Sequence, residues 1–121
     1  MQQSDDATVA NGTTFPGLTP MTKVEVVVGG EDVGRVQAIF ERAGVTGFTT
    51  VTNVSGLGHA GYHEGRLVFN DHDGLALLFT VTPAESSDAL VDALRVLFER
   101  RPGVMFVSST MVSRPEYFVR G

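Results

Sequence analysis

Apolar positions along this chain fall into six segments of two kinds. Thr22 to Val28 is rich in β-branched residues and reads as a strand. Gly29-Gly30 breaks it, and Glu31 and Asp32 follow where a helix N-terminus favours negative charge. Val33, Val36, Ile39, Phe40 and Ala43 then recur at helical spacing, and Gly44 is a natural stop. Phe48 to Ser55 is a second strand rich in Thr and Val. Residues 62–74 carry no helical period, so a loop is expected there. Leu75 to Val81 is a third strand, ended by Pro83. Ser86 or Ser87 can cap a second helix running to about Arg100, with Leu90, Leu94 and Leu97 along one face and Val91 and Phe98 beside them. Pro102-Gly103 stops it, and Val104 to Ser109 is a fourth strand.

The order βαββαβ predicts an α+β fold, a ferredoxin-like sandwich in which two helices cover one face of an antiparallel sheet. Leu75, Leu77, Phe79 and Val81 alternate with Ala76, Leu78 and Thr80, so both faces of the third strand are largely apolar. Two helices cover one face only. A partner subunit is the expected cover for the other, with the C-terminal tail as the alternative.

At 121 residues the chain suits one domain. Residues 1–20 read as a disordered extension that lacks the basic start and apolar centre of a secretory signal, and Met21 would serve as a first residue. Residues 21–121 are the expected domain. No apolar run approaches the roughly 18 residues that a membrane span needs. The absence of cysteine excludes disulfides and thiolate metal sites and fits a cytoplasmic location. Net charge is −5, which argues against nonspecific nucleic-acid binding. Residues 95–121 run against that sum, with Arg95, Arg100, Arg101, Arg114 and Arg120 facing only Glu99 and Glu116. Lys23 is the sole lysine. A cation set made almost wholly of arginine suits bidentate recognition of phosphate or carboxylate.

The richest segment is GVTGFTTVTNVSGLGHAG, Gly44 to Gly61. Its strand ends in a G-x-G-x-x-G turn, whose glycines let backbone N–H groups approach a phosphate. No helix follows, so the dinucleotide-binding context fails. The segment instead resembles the PII signal-transduction family, in which a G-[IV]-T-G-x-T segment leads into a strand and a G-F-G turn opens a long regulatory T-loop. The resemblance extends over residues 22–121. It is specific at 44–58, moderate at 100–108 and weak elsewhere. It implies a homotrimer with adenine nucleotides in clefts between subunits and a flexible T-loop at about 56–74.

Carried over residue by residue, Gly56 and Gly58 match the family's turn, with Leu57 in place of Phe. Thr50 matches a strand Thr at the adenine end. His59 stands where the family has a phosphate-contacting Arg, and a His donates to phosphate better when protonated. Arg100-Arg101-Pro102-Gly103-Val104-Met105-Phe106-Val107-Ser108 resembles the phosphate-binding B-loop running into its strand. The family's Lys after the glycine is lost to Val104 or Met105, and Arg100 or Arg101 can replace its charge. Arg114 and Arg120 lie near C-terminal arginines that reach phosphates from a neighbouring subunit. Pro115 departs from the family by interrupting any simple strand.

Two departures bear on ligand choice. Ala60 replaces a Gln that assists Mg²⁺ and 2-oxoglutarate, and Asp73, Gly74 and Leu75 occupy the place of a 2-oxoglutarate-gripping Lys. The resemblance therefore implies a PII-like sensor of ADP, AMP and, less tightly, ATP, working with bicarbonate. It would signal to a bicarbonate transporter or a carboxysome-associated system. The alternatives are a nitrogen-regulatory PII that binds ATP and 2-oxoglutarate, or a metal-binding trimer of the same fold. His59, His63 and His72 with Glu64, Asp71 and Asp73 offer metal ligands in number, but no helix aligns them, and no metal site is assigned. No Ser/His/Asp order of known type and no cysteine nucleophile supports an enzyme.

Overall fold

A computed structural model describes residues 15–55 and 74–119. Strand β1 spans Thr19–Gly29, helix α1 Val33–Arg42, strand β2 Thr49–Val54 and strand β3 Leu75–Thr82. Helix α2 spans Ser87–Arg100 and strand β4 Val104–Val112. Short 3-10 turns occupy Gly30–Asp32, Ala84–Ser86 and Pro115–Phe118. The strands form one sheet in the order β2-β3-β1-β4, with every pair antiparallel. This is the ferredoxin-like arrangement that the element order predicts.

The two central strands set the faces. Val24, Val26 and Val28 of β1 lie opposite Thr80, Leu78 and Ala76 of β3, and all six are buried. Val36, Ile39 and Phe40 of α1 and Leu90 and Leu94 of α2 close over them as a single core. Leu75, Leu77 and Phe79 point away and are half-buried. On that open face Val51, Val104 and Phe106 are exposed at 42%, 46% and 51%. The tail does not cover them: its described part turns at Pro115–Phe118 and is tied down at Thr46, whose hydroxyl donates to the Tyr117 carbonyl at 2.8 Å. A largely apolar sheet face, with the Lys23–Glu25 ion pair of β1 at its centre and Lys23 over the Phe79 ring, is thus left without a cover from the described chain.

β1 starts at Thr19, so it takes in two residues assigned from sequence to the disordered extension. Pro20 is tolerated there because β1 pairs with β3 only from Thr22 onward, and at Pro20 the strand has β4 alone beside it. β4 likewise runs three residues past Ser109. The end of α1 follows the expected glycine stop. Gly44 has φ 83°, and Val45 N–H reaches back to the Phe40 carbonyl at 3.1 Å, satisfying an orphan acceptor of the last turn. The serine cap does not form. Ser86 makes no side-chain cap bond, and the Ser87 hydroxyl donates to the Ala84 carbonyl at 2.8 Å.

One irregularity lies in β2. Its pairing with β3 runs Thr52 to Ala76 and then Val54 to Leu75, skipping Asn53, which has φ 60°. Asn tolerates the left-handed region because its short polar side chain bonds locally. The extra residue makes a bulge that re-aims the strand at its last paired residue, Val54.

The face assignment has a direct consequence for stability. Leu78→Ala should lower the unfolding free energy by about 3 kcal/mol in urea denaturation, since Leu78 is fully buried under both helices. A loss below about 1 kcal/mol would place Leu78 outside the core.

Candidate functional site

Chain direction gathers several termini at one end of the sheet. β1 finishes there at Gly29 and pairs with Leu75 at the start of β3. β2 finishes there too, with Val54 also on Leu75, and Val104 opens β4 opposite Val27. Gly30 N–H donates to the Gly74 carbonyl at 2.8 Å. The residues that flank segment 56–73 are therefore fixed at this end, beside the start of α1 and the exit of α2. Gly56, Leu57, Gly58 and His59 lie outside the described residues, as does Arg120.

The exit of α2 carries the B-loop candidates. Arg100 is exposed in the last helical turn, and Arg101 leaves it with extended backbone. Arg101 Nε donates to both oxygens of Asp32, at 3.0 and 3.2 Å, and its Nη2 lies 3.5 Å from Glu31. Arg35 Nη1 donates to the same Asp32 Oδ1 at 2.7 Å. Asp32 is 1% exposed, whereas Glu31 is 52% exposed. From sequence Asp32 is an acid favoured by a helix N-terminus, and Arg101 a surface cation free to bind phosphate. In the fold Asp32 caps no backbone group, and its carboxylate joins α1 to the α2 exit through two guanidinium groups. Asp32 and Arg35 stand three residues apart, one helical turn. The partnership with Arg101, 69 positions away, had no local signal.

Gly103 lies tight against Phe98. A Cβ built on it would sit 2.3 Å from Cε1 of Phe98 in α2, so a side chain there would force the ring out of its present place. Val104 faces the open side of the sheet. Thr50 lies farther along β2, opposite Leu78, and its hydroxyl accepts from Gln37 Nε2 of α1 at 3.3 Å. Arg114 is at the other end of the molecule. It follows the last β4 residue, Val112, which pairs with Thr19, and it stacks over Tyr117 at 5.7 Å. The nine residues of β4, Val104 to Val112, set its two ends about 26 Å apart.

The fold thus brings Arg100, Arg101, Gly103 and Val104 together at the loop end, leaves Thr50 partway along β2, and puts Arg114 at the opposite end. Among the described residues no group of three or more His, Asp or Glu side chains is placed to hold a metal ion. The histidine set of the loop lies outside them. No described helix is long and apolar enough to cross a membrane.

The family profile described as nitrogen regulatory protein P-II matches residues 21–117. The chain belongs to the PII family, in its PII-like branch, and that family is regulatory. A structure of CPII, a nitrogen regulatory PII-like protein from Thiomonas intermedia K12, bound to ADP, AMP and bicarbonate, is 37% identical over 84% of this chain and 95% of its own, with TM-score 0.73. The apo form of the same protein is 32% identical over 78% of this chain and 94% of its own, with TM-score 0.62. A PII-like signalling protein from Thermus thermophilus shares the fold at 19% identity, covering 84% of this chain and 98% of its own, with TM-score 0.66. No curated protein matches.

Two substitutions test the local architecture. Arg101→Ala should cost about 2 kcal/mol of stability, because Asp32 then keeps a single guanidinium partner while fully buried. An unchanged denaturation midpoint would show that the contact is dispensable. Gly103→Ala should cost about 1–3 kcal/mol through overlap with the Phe98 ring. Adding Phe98→Leu should then recover part of the loss, and no recovery would assign the cost to the backbone instead.

Proposed function

We propose that this protein is a homotrimeric, cytoplasmic PII-like sensor of ADP and AMP, and of ATP less tightly, that responds together with bicarbonate. The observation carrying this reading is the separation of its arginines. Arg101 and Arg114 sit at opposite ends of β4, too far apart to grip one phosphate chain within a subunit. They can converge where one subunit's loop end meets the other end of its neighbour. The uncovered, largely apolar face supplies a surface for that assembly, with the Lys23–Glu25 pair neutral overall at its centre. The bound ADP, AMP and bicarbonate of the Thiomonas relative support the ligand class.

The output is a change in the loop at 56–74, whose flanking residues are pinned beside the nucleotide phosphates in this reading. Its target is inorganic-carbon uptake or fixation machinery, a class favoured by the bicarbonate of the relative. Ala60 and the absence of any lysine besides Lys23 disfavour 2-oxoglutarate as the co-ligand.

Subunit mixing tests the shared site. Calorimetry on the unaltered protein should give micromolar ADP binding that bicarbonate strengthens, with reciprocal strengthening of bicarbonate by ADP. Arg101→Gln and Arg114→Gln should each weaken ADP at least about tenfold. Trimers assembled from both variants together should regain a fraction of sites with full affinity, since some clefts then hold both arginines. No recovery would overturn the inter-subunit site, and coupling to 2-oxoglutarate in place of bicarbonate would return the protein to nitrogen regulation.

A further inference from the structure

The two carboxylates on Arg101 differ in a way that gives them opposite roles. Asp32 is buried, bonds Arg101 Nε through both oxygens, and is itself held by Arg35. It cannot leave without stranding a charge in the interior. Glu31 is half exposed, 3.5 Å from Nη2 of the same guanidinium, and free to swing into water. Its backbone is fixed by the turn that links β1 to α1, so its carboxylate stays within reach whenever Arg101 is unliganded.

We infer that Glu31 is an internal competitor for the anion that Arg101 receives, while Asp32 is the positioning residue that aims Arg101. This rests on the proposed role of Arg101 in holding nucleotide phosphate. A phosphate arriving at Arg101 takes over Nη2, displaces the Glu31 carboxylate into solvent, and leaves the Nε contacts to Asp32 unbroken. Arg101 is about one-third exposed, which leaves the guanidinium edge open to an incoming anion. The neighbouring Arg35 spends Nη1 on Asp32, at 2.7 Å, and on the Glu31 carbonyl, at 3.3 Å, and no contact joins it to the Glu31 carboxylate among the described residues. Glu31 therefore sets an affinity threshold. It keeps weak anions off Arg101 and makes nucleotide affinity lower than the arginine alone would give.

Glu31→Gln should tighten ADP binding by about two- to fivefold at low salt, the range expected for losing an exposed ion pair. The gain should shrink as ionic strength rises. A general rise in positive potential would also tighten binding, so the decisive comparison is a double-mutant cycle with Arg101→Gln. In the Arg101→Gln background, Glu31→Gln should leave ADP affinity unchanged. Equal gains in both backgrounds would overturn the competition, as would an unchanged affinity when Glu31→Gln is made alone. ADP binding that ignores Arg101→Gln would overturn it as well. Absence of ADP binding by the unaltered protein would instead overturn the nucleotide reading on which it stands.

Discussion

The loop end of this protein depends on one buried carboxylate. Asp32 sits between the first turn of α1 and the exit of α2 and accepts hydrogen bonds from Arg35 and Arg101. Without those guanidinium groups a charge would lie in a site nearly closed to water, which is costly by any reckoning of desolvation. The constraint runs both ways. Because Asp32 must be satisfied, the chain leaving α2 has to pass close to α1, and that path leads through Gly103 to Val104, where β4 begins. The Phe98 ring lying over Gly103 closes the same path from the other side. Helix packing, loop course and strand start are thus coupled through a few polar bonds and one missing side chain.

The sheet was legible because its signals are local. β-branched runs, two helical apolar stripes and the glycine or proline at each break each name their element without help from distant residues. The two-faced character of β3 was also readable, since Leu75, Leu77 and Phe79 alternate with Ala76 and Leu78. The errors lie at strand ends. Thr19, Pro20 and the last residues of β4 pair with each other by register alone. A proline reads from sequence as a break, and only the one-sided pairing at that position makes room for it.

The site was legible in a different measure. The glycine turn and the B-loop segment were visible as resemblance to the PII family, and the family profile over residues 21–117 bears out that family. The roles of single residues were less visible. Arg101 looks like any exposed cation until Asp32 is seen against it, and no pattern within a few residues marks a contact between the turn before α1 and the exit of α2. Gly103 matches the family's glycine, yet the packing reason for a glycine there lies in Phe98, upstream on α2. Thr50 is marked in sequence by its match to a family Thr at the adenine end, and the bond of its hydroxyl to Gln37 of α1 has no local signal. Each of these needs tertiary contacts to be seen.

The bulge at Asn53 separates two properties that a regular strand keeps locked together. In an unbroken strand the face on which the chain leaves is dictated by the number of residues paired before it, since side chains alternate strictly. Here the pairing of Thr49 to Thr52 is settled before the bulge, and the direction of departure is settled after it. The facing of Val54 and Ser55 is then set separately from that of the residues that pair before the bulge. A one-residue change in length at Asn53 would accordingly turn Val54 and Ser55 to the opposite face while the pairing of Thr49 to Thr52 stays as it is.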